Sequence, residues 1–203
     1  MDVILVISFS YLSGSIPFGL LLTKAFIKRD IRKIGSGNIG ATNVLRTGNK
    51  LLAAITLILD VLKGYLPIII TQQYFPEFIQ LSCLITFLGH VFPIWLKFKG
   101  GKGVATYLGI LFALSIQLSL LFMFTWIAVA LIFKYSSISS MFASLTVFVV
   151  TVIKDNILKS IDSSIYINQE IKLILFIFFI LIIFTHRNNI TNLINKTESK
   201  IKI

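Results

Sequence analysis

A single cysteine, Cys83, stands in a chain of 203 residues, which excludes an intrachain disulfide and a cysteine-rich metal site and leaves the redox compartment open. Charge is scarce as well. Asp, Glu, Lys and Arg make up 13% of the residues, whereas 56% are hydrophobic and the mean hydropathy is +0.91. A soluble domain carries about a quarter of its residues as charges, so water is not the main solvent of this chain. Also missing is a basic stretch ahead of the first apolar run. That run begins directly after Asp2, lacks the n-region of a cleavable signal peptide, and is expected to remain in the mature protein. No internal repeat, low-complexity tract or domain-separating linker is evident, and the expectation is one membrane domain over residues 1–203.

What the chain does have is a series of apolar runs of about twenty residues, the length that crosses a ~30 Å hydrocarbon layer as a helix. The runs predict helices over 3–26, 51–71, 78–96, 138–153 and 171–185. The apolar stretch from Gly103 to Phe133 is too long for one crossing and is divided near Gln117, giving an all-α integral membrane bundle of about seven transmembrane helices. Ser13, Gly14, Ser15 and Pro17 interrupt the first helix with small and helix-bending residues that membranes tolerate. Polar connections are expected over 27–50, 72–77, 97–103 and 154–169, and a polar tail from His186.

The net charge of +11 would suggest nucleic acid in a soluble protein, but the cations lie in the connections between apolar runs. Lys28, Arg29, Arg32, Lys33, Arg46, Lys50, Lys97, Lys99, Lys102, Lys134, Arg187, Lys196, Lys200 and Lys202 fall on one side; Lys154, Lys159 and Lys172 fall on the other. The positive-inside rule makes the first side cytoplasmic and puts the N-terminus outside and the C-terminus inside. No nucleic acid is expected as a partner.

Three segments on the cytoplasmic side carry polar chemistry. The first, Gly35-Ser36-Gly37-Asn38-Ile39-Gly40-Ala41-Thr42-Asn43-Val44-Leu45-Arg46-Thr47-Gly48, contains the string GxGxxG. A dinucleotide site would need a strand before it and a βαβ unit around it, and a basic juxtamembrane stretch stands there instead. What remains is a loop whose glycines admit a ligand close to the backbone and whose amides, with Ser36, Thr42 and Arg46, suit phosphate. The competing reading is tight helix packing at the membrane surface.

The second segment, from Gly89-His90 to Lys99-Gly100-Gly101-Lys102-Gly103-Val104, is no Walker loop, since Gly103 stands where Ser or Thr should follow the lysine. Glycines and a lysine at a helix start nevertheless align free amides, the helix dipole and an ammonium group, a second anion site. A positive-inside anchor with Trp95 at the interface accounts for Lys97 and Lys99 but poorly for Gly100, Gly101 and Gly103. His90, inside the apolar run, reads as a hydrogen-bonded packing residue. In the third segment, His186 and Asn189 share a face if the last helix continues by a turn, although a histidine there also reads as a dipole or headgroup contact. Asp60 and Lys63 lie one turn apart inside a span, as a functional or a structural ion pair.

Together with Ser13-Gly14-Ser15-Ile16-Pro17-Phe18-Gly19, these segments make the chain resemble the bacterial acyl-phosphate:glycerol-3-phosphate acyltransferase family, of the PlsY type. The resemblance runs in order over nearly the whole chain. It implies a seven-spanning enzyme of the bacterial cell (inner) membrane with a cytoplasmic site. The implied reaction is the first acylation of phospholipid synthesis: acyl transfer from acyl phosphate to the sn-1 hydroxyl of glycerol 3-phosphate, giving lysophosphatidic acid and phosphate. It implies Ser36, His186 and Asn189 as catalytic and Asn38, Thr42, Arg46, Gly100, Gly101, Lys102 and Gly103 as substrate-binding. Ser36, Arg46, Lys102, His186 and Asn189 would line the glycerol phosphate site, and the three glycines would hold acyl phosphate. His186 is then either the general base or a group that orients the hydroxyl while a phosphate oxygen takes the proton. Asn192 departs from the family, which often has a basic residue there. Acyl phosphate is an activated mixed anhydride, so no cofactor and no metal is expected, and neither is a covalent intermediate. The other partner is membrane lipid. A small organic-phosphate transporter is the alternative, but it would call for inverted repeats and a midplane site.

Overall fold

The structure, a computed structural model, describes residues 1–161 and 169–201, and among these every regular element is helical. The chain forms two compact units, Met1–Ile116 and Gln117–Ile203.

In the first unit α1 (Asp2–Ser15) and α2 (Phe18–Ile27) are one apolar stretch broken at Ile16-Pro17. Pro17 has no N–H and disfavours helical dihedrals at the residue before it, and Ile16 is accordingly extended. A 3-10 turn at Ile31–Lys33 and the five-residue α3 (Ala41–Leu45) follow, then α4 (Lys50–Tyr74), α5 (Ile79–Val91) and α6 (Val104–Leu114).

Helix α4 is built inside out. Ile58, Leu62, Leu66 and Ile70 are exposed along one face, whereas Thr56, Asp60, Lys63, Gly64 and Thr71 are buried on the other. That inversion suits lipid as the solvent: tails are as apolar as leucine, so helices associate through close packing and polar links. The close packing uses glycines in pairs. Gly14 of α1 lies on the carbonyl of Thr86 in α5, and Gly89 of α5 lies on Tyr11 and Ser15 of α1. Gly64 of α4 meets the Thr106 carbonyl of α6, and Gly109 of α6 meets that of Val61. The polar links are hydroxyls: Ser10 to Ser82 at 2.9 Å, and Thr71 to Ser82 at 3.0 Å.

The second unit holds most of α7 (Ile116–Phe133), then α8 (Ser136–Ile161), α9 (Gln169–Thr185) and α10 (Arg187–Ile194). Trp126 donates to Ser140 at 3.1 Å, Phe148 and Phe176 are 5.3 Å apart, and Lys172 pairs with Asp155.

Among the described residues five helices are long and apolar enough to cross a membrane: Asp2–Ile27, Lys50–Tyr74, Pro76–Leu96, Ile116–Phe133 and Ser136–Asn156. Counting the bent pair Ile171–Thr185 and Arg187–Ile194 as one span makes six. The seventh expected crossing corresponds to α6, an apolar helix of 11 residues. At 1.5 Å per residue it reaches roughly 16 Å, about half the hydrocarbon thickness. The division of the long apolar stretch falls at Ser115, two residues before the expected Gln117, where the backbone is extended. The polar connection expected over 154–169 begins as a continuation of α8, and its residues 162–168, like Lys202, lie outside the described residues.

Candidate functional site

The first glycine segment is a folded loop organised by a side chain that the sequence did not single out. Asn43, 2% exposed, donates through Nδ2 to the carbonyls of Ile31 (3.1 Å), Ile34 (2.9 Å) and Asn38 (2.7 Å). Its Oδ1 accepts the Ser36 amide at 3.1 Å. One amide side chain thereby fixes four points of the loop. Apolar residues seat the loop beneath: Ile31, Ile39 and Val44 form a buried cluster with Leu20 of α2 and Leu52 and Ala53 of α4. Leu96, in the second segment, packs against the same cluster.

Gly35 and Gly37 adopt φ of 55° and 70°, the left-handed region that favours glycine. A Cβ on Gly35 would stand 2.7 Å from Cδ and 3.0 Å from Nη1 of Arg46, so the bare backbone is what lets the guanidinium lie against the loop. Nη1 of Arg46 is buried and has no hydrogen-bond partner. Arg32 makes the contrast. Its guanidinium grips Asp30, with Nη2 2.6 Å from Oδ2, and holds that carboxyl well below the usual carboxylate range. A buried guanidinium nitrogen left unsatisfied beside a turn of glycines is suited to an anion's oxygens. Ser36 and Gly37 are exposed, Asn38 and Thr42 are half-buried, and Asn38 Oδ1 accepts the Gly40 amide at 3.3 Å.

The second segment is built differently. The amides of Gly100 and Gly101, expected to be free, donate to the carbonyls of Val91 (3.0 Å) and His90 (3.1 Å) at the end of α5. A Cβ on Gly101 would strike the His90 imidazole, and one on Gly103, at φ 80°, would strike the Phe87 ring. These glycines admit neighbouring groups of the protein itself. The first-turn amides of α6, Val104, Ala105 and Thr106, lie ahead of the helix's own hydrogen-bond ladder, which begins with Tyr107 donating to Gly103 at 2.7 Å. Lys102 is half-buried beside them. His90 is 4% exposed, with Nδ1 3.0 Å from the Thr106 hydroxyl, the hydrogen-bonded packing residue the sequence suggested. Trp95 is exposed and donates to Ser15 at 2.8 Å.

His186 and Asn189 lie in the second unit and both are buried. The last helix does not continue straight by a turn: α9 and α10 meet at 54°, and His186 stands at the bend. Its Nδ1 donates to the Ile182 carbonyl at 2.8 Å, so in the neutral ring the basic lone pair belongs to Nε2. Asn189 Nδ2 donates to Glu198 at 2.6 Å, and Ser137 donates to the same carboxylate oxygen at 3.1 Å. Asn192 reaches the other oxygen at 3.4 Å. Among the described residues no cluster of histidine, cysteine and carboxylates suits a metal.

The fold defines a multi-pass helical membrane protein, with a glycine loop on which a buried, unpartnered guanidinium nitrogen lies. The family model described as glycerol-3-phosphate acyltransferase matches residues 4–196, and the chain belongs to that family. It is similar to the glycerol-3-phosphate acyltransferase of Pelagibacter ubique (strain HTCC1062), 52% identical over 203 residues and covering 100% of both chains. Another relative, from Mesorhizobium japonicum, is 50% identical and covers 98% of this chain and 95% of its own. Two crystal structures of PlsY (YgiH), an integral membrane glycerol 3-phosphate acyltransferase, also match at 32% identity. The glycerol 3-phosphate form has a TM-score of 0.89, covering 100% of this chain and 96% of that one; the lysophosphatidic acid form has 0.85, covering 98% and 95%.

Proposed function

We propose that the protein transfers a fatty acyl group from acyl phosphate to the sn-1 hydroxyl of glycerol 3-phosphate, giving lysophosphatidic acid and inorganic phosphate. The hydroxyl oxygen bonds to the acyl carbonyl carbon, the bond from that carbon to the phosphate oxygen breaks, and phosphate leaves while the hydroxyl proton passes either to His186 Nε2 or to a phosphate oxygen. The observation that carries this reading is Arg46: a buried guanidinium nitrogen without a partner, lying on a glycine turn that Asn43 holds in shape. A phosphate placed there supplies the missing acceptor.

In this reading Ser36, Asn38, Thr42, Arg46 and Lys102 bind glycerol 3-phosphate, while the first turn of α6, placed by Gly100, Gly101 and Gly103, serves the acyl phosphate. His186 Nε2 accepts the hydrogen bond of the glycerol hydroxyl, its ring fixed by the Ile182 carbonyl, and Asn189 completes the polar set. Positioning and charge neutralisation supply the rate, since the anhydride is already activated. The chain works as one domain in the bacterial inner membrane with seven crossings, the N-terminus outside and these segments cytoplasmic. Both ends of the stretch covering α6 and α7 are basic, at Lys102 and Lys134, which favours two crossings there.

The test is phosphate release from palmitoyl phosphate by the purified protein in detergent or lipid mesophase, with and without glycerol 3-phosphate. Release is expected to require both substrates and to collapse in Arg46→Ala. Folded protein that releases nothing overturns the reading.

A further inference from the structure

The reaction just described gives no role to the buried pair in α4. Lys63 Nζ lies 2.7 Å from Asp60 Oδ1, and each side chain is 3% exposed. The ammonium does more than neutralise its neighbour: it donates to the carbonyl of Ile16 at 2.6 Å, and it lies 5.6 Å from the Phe18 ring centroid. Ile16 and Phe18 flank Pro17, so two groups meet Lys63 at the break between α1 and α2. At the break the Ile16 carbonyl accepts the Phe18 amide at 3.1 Å, and its second lone pair is open to a donor from elsewhere. The α4 helix supplies that donor as a charge, and Asp60 supplies the countercharge that makes burial of the charge tolerable.

The helix that leaves this break leads to the loop that holds Arg46. Gly19, two residues past Pro17, lies against the carbonyl of Ile39, with Thr56 of α4 beside it, and a Cβ there would strike the carbonyl. Leu20 joins Ile31, Ile39 and Val44 in the cluster under the loop. The direction in which α2 leaves the break thus sets where residues 35–48 sit.

We infer that Lys63 is a positioning residue for glycerol 3-phosphate: by holding the Ile16 carbonyl it fixes the α1–α2 break, and through Gly19 and Leu20 it fixes the loop that carries Ser36 and Arg46. The inference rests on the proposed acyltransferase reaction for its kinetic readout, and a second readout does not depend on that reaction.

The experiment compares wild type with Lys63→Met, with the double variant Asp60→Asn/Lys63→Met, and with Gly19→Ala. Each is measured for thermal midpoint, for KM and kcat with glycerol 3-phosphate, and for the rate of trypsin cleavage after Arg46 relative to that after Lys134. The double variant leaves no unpaired buried charge, so its midpoint is expected to return close to wild type. Its KM for glycerol 3-phosphate is expected to stay raised about tenfold, the scale of one charge-assisted hydrogen bond, with kcat changed less and cleavage after Arg46 selectively faster. Gly19→Ala keeps the pair intact and is expected to show the same KM and cleavage shifts. If the double variant regains wild-type KM and cleavage along with its midpoint, the pair is structural only and the inference is overturned. Should the double variant fail to fold, Gly19→Ala decides: wild-type KM and cleavage there overturn it equally. A wild type without turnover sinks the acyltransferase reading, and the cleavage ratio still judges Lys63.

Discussion

Two glycine-rich segments of similar composition do different work. In residues 35–48 the glycines provide left-handed backbone, the loop hangs on the Asn43 side chain, and a guanidinium nitrogen is left without a partner. In residues 97–103 two glycine amides are bonded to the end of α5, and three glycine surfaces are occupied by His90, Pro93 and Phe87. The first leaves a buried donor that the described protein groups do not satisfy. The second is a joint that places the first turn of α6. Glycine content alone does not tell a ligand site from a close contact; what the amides bond to does.

Substitutions can break this contrast or sharpen it. Arg46→Ala has the largest expected effect: kcat/KM for glycerol 3-phosphate should fall about a thousandfold, roughly 4 kcal/mol of transition-state stabilisation. Its thermal midpoint should barely move, because Nη1 gives up no internal hydrogen bond. A large midpoint drop with little kinetic loss would make the first loop a joint as well. Asn43→Ala should cost about a hundredfold in kcat/KM and also lower the midpoint, since it orphans the Ser36 amide and the Asn38 carbonyl at about 1–3 kcal/mol for each group left buried, while the Ile31 and Ile34 carbonyls keep the amides of Ile34 and Gly37. Asn43→Asp, which still accepts from Ser36 but donates nothing, should recover only part of that loss.

Gly101→Ala should act chiefly on stability, by about 1–3 kcal/mol of overpacking against His90, and leave the KM for glycerol 3-phosphate within twofold. A changed KM for acyl phosphate at an unchanged midpoint would turn the second segment back into a ligand cradle. The smallest effect belongs to Gly48→Ala. Gly48 has φ 87° but open space around it, so only the backbone preference is lost, about 1 kcal/mol, and activity should stay within twofold.

The sequence showed the membrane class, the polar segments and the helix break at Pro17, because each is local: a run length, a glycine cluster, a missing N–H. The number of crossings was less legible. Hydropathy sums over α6 and α7 alike, and only the extended backbone at Ser115 reveals that α6 is 11 residues long. Whether the last helix continues past Thr185 was left open by the sequence; the structure bends by 54° at His186, and Glu198 beyond the bend bonds Asn189 and Ser137. Asn43 was visible in the first loop but not distinguishable from Asn38 and Asn49, since its four bonds reach residues up to 12 positions away. Arg46 stood out as a cation, yet only the structure separates it from Arg32, which Asp30 already occupies.

The paired glycines of α1 with α5 and α4 with α6 carry a consequence for how this protein can change. Lipid is a fluid that reshapes around any apolar side chain, so Ile58 or Leu66 can be exchanged for another of its kind at little cost. A backbone carbonyl resting on Gly64 or Gly109 cannot reshape, and one added methyl there must move a whole helix. Mutational freedom should therefore be divided by depth, wide on the outer faces of the helices and almost closed along the two seams, although every position involved lies inside a membrane.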